Sequence, residues 1–458
     1  MALTKEIAAF VSGLTYADLP QAAIDVAKLG FLDCSGVLIA GSAEDTARIM
    51  ETTLLAALDG KPEASIVFTE RRASALVAAR INGTAAHALD YDDAGGHRSA
   101  ILVPAILAEG EALGSTGKDM ITAYVAGFEV WSELVRREDD QLHEKGWHPT
   151  GVYGAVAAAA AMANLRRLNP EETAVAIALG ASQASGVVAN FGTMIKPFHA
   201  GASAHAGVLA GRLAANGMSG GLSVLEHKRG FLAAVSPRGS VDRSRSATHL
   251  GRDWHIVNDG VSIKKFPTCY CTHRAIDAML GLVAERPIRP DEVEEIRVKI
   301  GKTQAAILIN HRPQTGLEAK FSIEFTMACA LLEQAVTLQH LTDSFVLRPE
   351  VQKLLPKVFV DADETYDPTL TSYSPADQVS VRLTSGEVLV SEEISRARGH
   401  ISRPLAREEL FAKFEACLAY GGSDLDPMGA FEMFETLETL GAGWPRELPR
   451  QGVERMRA

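Results

Sequence analysis

The segment from Gly192 to Gly207, GTMIKPFHAGASAHAG, constrains the fold most, because it carries ionisable side chains between helices built from small residues. Residues 173–190 and 206–215 are rich in alanine and glycine, a pattern typical of helices that pack backbone to backbone. The ionisable side chains are Lys196, His199 and His205. Because an uncompensated buried ammonium is costly, we expect Lys196 to face an anionic partner or to reach solvent.

Pro197 indicates a break in the helical pattern. A proline ends one helix or begins the next, and either arrangement leaves Lys196 where side chains can line a cavity. The alternative interpretation is that Lys196 snorkels to the surface from a loop, while His199 and His205 cap helices or fill the core.

A second unusual segment, DYDDAGGH, begins at Asp90 and ends at His97, after an alanine-rich helix predicted over 73–89. Its carboxylates repel one another, and they follow a helix that should be buried. Cations, hydrogen bonds or water must therefore offset their cost. The alternative is a solvated loop that caps a helix predicted over 100–113.

His148 stands just before another alanine-rich helix, predicted over 152–165. The dipole at a helix N-terminus favours a neutral imidazole or a bound anion. His148 is therefore a candidate functional residue, and a plain capping role is the alternative.

The segment IKKFPTCYCTHR at 263–274 concentrates cationic or potentially cationic side chains in an acidic protein. They are Lys264, Lys265, His273 and Arg274. A structural zinc site would need a second ligand pair to match the Cys-x-Cys of this segment, and the sequence offers none at suitable spacing, so we predict no metal here. The alternative is that both lysines are surface charges.

Composition limits the partners of this chain. Its 458 residues carry a formal net charge of −12, which argues against a surface for nucleic acid or for an anionic membrane. A small anionic ligand would therefore need a local basic pocket. We find neither an export signal nor an uninterrupted apolar run of about 18 residues. Five cysteines in so long a chain do not make a disulfide framework, so we expect a reducing, cytoplasmic location.

The pattern predicts a mainly α protein with a second, α+β domain. The predicted domains are a helical domain over 1–258, an α+β lid domain over 259–397, and C-terminal helices over 398–458 that return to the helical domain. The polar, aperiodic stretch at 237–262 fits a crossing between domains. Later predicted elements are a helix at 275–285, a strand at 293–300, a helix at 318–333, a strand at 357–362, a hairpin at 378–390 and a helix from Pro404 to Leu418.

Four ordered blocks resemble the MmgE/PrpD family over nearly the whole chain. They are NGTAAHALDYDD at 82–93, GWHPTG at 146–151, KPFHAG at 196–201 and KKFPTCYCTH at 264–273. The resemblance implies a large all-helical domain, a smaller α+β lid and a homodimer. It also implies an active site between the domains that needs no metal or organic cofactor.

The resemblance also implies which residues act. The catalytic positions would fall on Asp90, His97, His148, Lys196 and Lys264. The substrate-binding positions would be Asp93, Arg98, Thr150, His199, Lys265, Cys269 and His273. The chain departs from the pattern at Ala94, where many members have threonine, and at 97–99, where His-Arg-Ser replaces the usual His-Pro-Ser. These departures touch the part of the pocket expected to recognise the substrate, so the substrate stays open.

The family resemblance implies a lyase acting on a small di- or tricarboxylic acid, with a hydro-lyase like 2-methylcitrate dehydratase as the leading interpretation. Proton abstraction beside a carboxylate generates negative charge that Lys196 and Lys264 can neutralise. His148 has a suitable pKa range for a general base or acid. An epimerase like iminodisuccinate epimerase and a decarboxylase of the cis-aconitate type are alternatives with the same fold.

Two interpretations belong to other classes. A magnesium enzyme could use Asp90, Asp92 and Asp93 as oxygen ligands, although this leaves Lys196 and Lys264 unexplained. A dimer that binds a metabolite without catalysis is the non-enzymatic alternative. Within the enzyme class, Lys264 could instead form a Schiff base with a keto acid.

Overall fold

The computed structural model describes residues 2–56, 61–367 and 373–449. The chain divides into two compact units: a helical unit of residues 1–261 and 407–458, and a mixed unit of residues 262–406. The mixed unit combines helices with a four-stranded sheet. The prediction of a mainly α protein with an α+β second domain is confirmed. The boundaries between the units lie after residues 261 and 406. The boundaries predicted from the sequence lie after residues 258 and 397.

The first segment of the helical unit contains a series of helices and a short antiparallel ribbon of β1 (Ala64–Ser65) and β2 (Arg72–Ala73). The helices are α1 (Leu3–Gly13), α2 (Gln21–Gly41), α3 (Asp45–Leu55), α4 (Ala75–Ala88), α5 (Arg98–Leu113), α6 (Gly117–Val135), α7 (Pro149–Leu165), α8 (Pro170–Gln183), α9 (Ile195–Ala215), α10 (Phe231–Val235) and α11 (His255–Asp259). Within the described part of the chain, none of the helices is both long and apolar enough to cross a bilayer. The stretch 237–262, predicted to be a crossing between domains, contains the short helix α11.

Small residues allow α4, α7 and α9 to pack at short range in the helical unit. A Cβ atom added at Gly83 of α4 would lie 2.9 Å from the Cα atom of Gly201 in α9. A Cβ atom added at Gly154 of α7 would lie 3.3 Å from the Cβ atom of Ser203 in α9. Side chains larger than hydrogen would push these backbones apart, so the alanine and glycine pattern sets the interhelical distances.

Pro197 lies in the first turn of α9, where its missing N–H costs nothing because that N–H would have no helical partner. Of the two possibilities left open by the sequence, the proline therefore belongs to the start of a helix. Lys196 is in the same turn. Because α4 ends shortly before Asp90, the contact between α4 and α9 also fixes how far Asp90 lies from Lys196.

The mixed unit holds one sheet in the strand order β4-β3-β5-β6. Its elements are α12 (His273–Glu285), β3 (Val293–Gly301), α13 (Lys302–Ile307), α14 (Gly316–Ala319), α15 (Ile323–Glu333), α16 (Asp343–Val346), α17 (Pro349–Leu354), β4 (Val358–Asp363), β5 (Gln378–Leu383) and β6 (Val388–Val390). Strand β3 is parallel to β4 and antiparallel to β5, and β5 and β6 form the predicted hairpin.

The single helix predicted over 318–333 is wrong, because the chain breaks between α14 and α15. The Ser322 side chain accepts a hydrogen bond from the backbone N–H of Phe325 at 3.2 Å, which makes Ser322 the N-cap of a new helix. A serine that bonds to nearby backbone in this way competes with helix continuation. The apolar pattern continues through the break, so the sequence periodicity gives no sign of it.

The C-terminal helices α18 (Arg407–Tyr420) and α19 (Pro427–Glu435) belong to the helical unit. The prediction that Pro404 opens the last helix is wrong, since α18 begins at Arg407 with acidic residues in its first turn, where the helix dipole favours them. Lys413 of α18 places its Nζ 2.6 Å from Oδ1 of Asp33 in α2 and donates to the carbonyl oxygen of Tyr91 at 3.0 Å. The returning helix therefore also braces the acidic segment.

We predict that Gly83→Ala destabilises the helical unit by about 1–3 kcal/mol, because the new methyl group overpacks the contact with Gly201. Gly13→Ala is the matched control: Gly13 is an exposed helical glycine, and an added Cβ meets nothing within 4 Å. The control should be neutral or stabilising by up to about 1 kcal/mol. Urea unfolding followed by far-UV circular dichroism measures both variants, and equal midpoints would contradict the close-packing argument.

Candidate active site

Lys196 and Asp90 form a buried ion pair. Asp90 follows α4 with a left-handed backbone (φ 51°), and its Oδ1 lies 2.6 Å from Nζ of Lys196. Both side chains are only 8% exposed. The ammonium also lies 5.4 Å from the ring centroid of Phe191. Of the two possibilities expected for Lys196, an anionic partner or an exit to solvent, the structure shows the anionic partner.

Asp92 bridges two histidines beside this pair. Its Oδ1 lies 2.9 Å from Nδ1 of His87, and its Oδ2 lies 2.7 Å from Nδ1 of His97. Burial raises the pKa of Asp92, but the two imidazoles outweigh it and hold that pKa well below its usual range. Burial, with the charge of Lys196, lowers the pKa of His87 to about 3. Asp92 is therefore ionised and His87 neutral at pH 7.

His148 and His199 form a second imidazole pair, with their Nδ1 atoms 3.0 Å apart. His148 is the N-cap residue of α7, and His199 lies in α9. Burial, followed by the charge of Lys196, lowers the pKa of both histidines. One Nδ1 must donate a proton and the other accept it, so the pair is neutral and can exist as two tautomers.

The histidine pair bridged by Asp92 and the His148–His199 pair lie close together. The ring centroid of His148 lies 6.0 Å from that of His87 and 6.4 Å from that of His97. Neutral imidazoles beside a buried ammonium provide proton acceptors and donors together with a positive charge. This combination suits proton transfer at a carbon atom next to a carboxylate.

Asp93 was predicted to bind substrate, and the structure gives its carboxylate an internal contact. Its Oδ1 accepts a hydrogen bond from the backbone N–H of Ser99 at 3.0 Å, at the start of α5. Burial, together with the charge of Asp92, raises the pKa of Asp93 to about 7. A substrate contact for Asp93 stays a prediction.

Arg98 and Thr150 also make internal contacts. The guanidinium of Arg98 lies 4.3 Å from the ring centroid of Phe128, and its Nη2 lies 3.7 Å from Oδ2 of Asp259. The Thr150 hydroxyl donates to the carbonyl oxygen of Gly96 at 3.2 Å. Their predicted role in substrate binding stays a prediction.

The remaining predicted residues lie in the mixed unit. Lys264 is fully buried and Lys265 half-buried. The backbone N–H of Cys269 donates to the carbonyl oxygen of Lys320 at 2.9 Å. His273, the first residue of α12, has its Nε2 3.2 Å from the carbonyl oxygen of Thr268. Catalysis by Lys264 and substrate contacts of the other three residues stay predictions.

The geometry around the acidic segment bears on the magnesium alternative. Ligand atoms of His87, Asp90, Asp92 and His97 lie within 4.8 Å of one another. The three-carboxylate set expected for magnesium is not assembled, because Asp93 turns to α5. The Lys196 ammonium on Asp90 also opposes a cation there. Two histidines and two carboxylates suit a transition metal better than magnesium, and the absence of a cofactor remains an expectation.

Sequence reasoning missed His87 and treated Asp92 only as a possible magnesium ligand. His87 is a buried polar residue near the end of an alanine-rich helix, three positions before Asp90. A histidine in an alanine-rich helix predicted to be buried was the available signal. Its partner could not be inferred, because the spacing does not show which carboxylate turns toward the helix.

The model of the MmgE/PrpD N-terminal domain matches residues 5–244, and the model of the MmgE/PrpD C-terminal domain matches residues 266–426. The chain belongs to the MmgE/PrpD family. Its similar relatives include cis-aconitate decarboxylases of Mus musculus and Homo sapiens, each 28% identical over 90% of this chain and over 86% and 87% of their own lengths. The cis-aconitate decarboxylase of Aspergillus terreus is 25% identical over 90% of this chain and 88% of its own. The family and these relatives indicate a lyase-type enzyme of carboxylic acid metabolism.

The depressed pKa of His87 predicts a pH dependence of stability. Between pH 6.5 and about pH 3, the unfolded chain holds a proton on this histidine that the folded chain does not. The contribution of His87 to the free energy of unfolding is therefore fully present above pH 6.5. It decreases as the pH falls below 6.5, by up to about 1.4 kcal/mol per pH unit. In His87→Asn, the free energy of unfolding should fall less steeply between pH 6.5 and 4.5.

Urea unfolding at a series of pH values measures this slope. His227→Asn, at an exposed histidine of the same unit, is the control and should keep the slope of the unsubstituted protein. Identical slopes for His87→Asn and the unsubstituted protein would show that His87 is not held neutral in the folded state.

Proposed function

We propose that the protein is a lyase that places negative charge on a carbon atom next to a carboxylate of a di- or tricarboxylic acid. The observation that carries the proposal is the buried Lys196–Asp90 pair beside the neutral His148–His199 pair. A polycarboxylate needs a cation in an otherwise acidic protein, and proton transfer at carbon needs a neutral imidazole. Lys196 provides the cation and His148 the neutral imidazole, and both residues lie in the helical unit.

In the proposed mechanism Lys196 acts by charge. When a C–H or C–C bond at the reacting carbon breaks, the electron pair that remains spreads onto the neighbouring carboxylate. A buried ammonium stabilises this developing charge more strongly than an ammonium in water would. Asp90 holds Lys196 in position before the substrate arrives, so the enzyme does not need to reorganise during the reaction.

His148 acts as the proton carrier in this proposal. Since its Nδ1 contacts His199, its Nε2 is the nitrogen left for proton exchange with a substrate. If His148 donates through Nδ1, its Nε2 is a base; if His199 donates instead, the Nε2 of His148 carries a proton and is an acid. The tautomer of the pair therefore decides whether the first step removes or adds a proton.

We propose decarboxylation of an unsaturated tricarboxylate as the first reaction to test, because the relatives named above are cis-aconitate decarboxylases. In this reaction a C–C bond breaks, carbon dioxide leaves without the bonding electron pair, and the acid form of His148 protonates the carbon that keeps the pair. Atoms and charges balance without a redox partner.

Dehydration, as in a 2-methylcitrate dehydratase-like hydro-lyase, is the second candidate, and a particular observation favours it. Loss of water needs an acid for the departing hydroxyl group as well as a base for the proton on carbon. His97, held by Asp92 at 2.7 Å, provides a second imidazole near His148. Epimerisation of a dicarboxylate would use the same proton abstraction with return of a proton to the opposite face.

The proposal includes several features taken from the family resemblance. They are catalysis by Lys264, a homodimer, a cytoplasmic location and an active site that needs no metal or organic cofactor. A metabolite-binding dimer without catalysis is the alternative that the activity test addresses.

The test is proton NMR of the full chain in deuterium oxide with citrate, 2-methylcitrate, cis-aconitate, malate and iminodisuccinate. We expect decarboxylation with deuterium at the protonated carbon, or else water loss or addition with deuterium exchange. Exchange with inversion alone would move the assignment to an epimerase. Thermal stabilisation by a polycarboxylate with no turnover of any compound would contradict an enzyme and support a binding protein.

With the substrate in hand, His148→Ala should lower kcat/KM by about 10²–10⁴-fold, the contribution typical of one proton-transfer group. Lys196→Ala should lower it by about 10²–10³-fold, the loss typical of one group that stabilises developing charge. Lys5→Ala removes an equal charge at an exposed position of the same unit and should leave kcat/KM unchanged. Circular dichroism checks that each variant is folded. Turnover of either site variant at the rate of the unsubstituted protein would contradict the proposed site.

A further inference from the structure

Glu133, His249 and His255 bring three metal-ligating side chains together outside the residues of the candidate active site. Oε2 of Glu133 lies 3.0 Å from Nε2 of His249 and 3.2 Å from Nε2 of His255. All three atoms lie within 4.8 Å of one another. Glu133 belongs to α6, and His255 is the first residue of α11. All three are in the helical unit.

These spacings match a tetrahedral metal site. Zinc binds imidazole nitrogen and carboxylate oxygen at about 2.0–2.2 Å, which places neighbouring ligand atoms about 3.3 Å apart in a tetrahedron. The two oxygen–nitrogen distances at Glu133 are close to this value. An ion could therefore enter with small side-chain adjustments and without movement of α6.

We propose that Glu133, His249 and His255 bind a Zn²⁺ ion whose fourth position is taken by solvent. Two imidazoles and one carboxylate are a ligand set that zinc uses in sites with an open position, whereas magnesium and calcium prefer oxygen ligands. The access route is beside His249, whose side chain is 35% exposed, while those of Glu133 and His255 are buried.

The surroundings of Glu133 prepare its carboxylate as a ligand. Arg137, two residues after the end of α6, donates to Oε1 and leaves Oε2 to the histidines. Burial raises the pKa of Glu133, but the contacts with His255, Arg137 and His249 outweigh it and keep that pKa below its ordinary value. Such outer contacts orient metal ligands. The guanidinium also offsets part of the negative charge, so we expect weaker binding than in a closed four-ligand zinc site.

The proposed ion would act on the segment that carries α11. At the start of this helix, the Glu129 carboxylate accepts hydrogen bonds from the backbone N–H groups of His255 and Ile256 at 3.1 and 2.8 Å. At its end, Asp259 pairs with Arg98, the residue after His97. Zinc would link α6 to this segment through coordination bonds, and its binding free energy would stabilise the helical unit.

The experiment uses the full chain, stripped with a chelator and returned to buffer without chelator. Titration with Zn²⁺ in a calorimeter, and with Co²⁺ followed by its visible ligand-field bands, gives stoichiometry and geometry. We expect one equivalent bound in tetrahedral geometry, a rise in melting temperature with Zn²⁺, and no displacement by excess Mg²⁺. His249→Ala should weaken this binding at least tenfold, and because His249 is partly exposed the variant should fold.

Three further variants make the assignment specific. Glu133→Gln should also lose the tetrahedral Co²⁺ spectrum. His311→Ala removes another histidine that contacts a carboxylate, with Nδ1 2.8 Å from Glu324, and should leave zinc binding unchanged. His97→Ala tests the other histidine–carboxylate group and should also keep the site. Absence of zinc binding to the unsubstituted protein, or binding that survives in His249→Ala and is lost in His97→Ala, would overturn the proposal.

Discussion

The ion pair between Lys196 and Asp90 is the interaction on which the candidate site depends. Neither charge could be buried alone at acceptable cost, and removing one member of such a pair typically costs about 3–5 kcal/mol. Its geometry is set elsewhere, by the glycine contact that holds α4 against α9 and by the left-handed backbone at Asp90. The geometry of the site therefore depends on the packing of small residues, because any change in helix spacing alters the separation of the two charges.

The sequence predicts the helical part of this arrangement well, for a physical reason. Runs of alanine and glycine allow little besides closely packed helices, and a lysine among them requires an anion or an exit to solvent. The anion lies 106 positions away in Asp90, and periodicity gives the face of a helix but not its neighbour across the core. The bridge from Asp92 to His87 and His97 depends on the path of a glycine-containing loop, so spacing alone could not assign it.

The wrong boundaries both lie at the N-terminus of a helix. An apolar period continues from α14 into α15, yet Ser322 caps a new helix within it. Pro404 is compatible with a helix start, yet the acidic first turn of α18 supplies a better one three residues later. The capping hydrogen bond at α15 and the dipole interaction in the first turn of α18, each worth about 1 kcal/mol, favour the observed helix starts.

The charge of Lys196 has two effects that work in the same direction. It helps to lower the pKa of His87, His148 and His199, and so keeps these imidazoles neutral and able to accept a proton. It also favours a ligand with negative charge. Asp90 offsets part of the charge of Lys196 and so moderates both effects. Without this counter-ion, the ammonium would be costly to bury. A bound polycarboxylate would strengthen the negative surroundings of the histidines and raise their proton affinity, so substrate binding itself would prepare His148 to take up a proton and to return it.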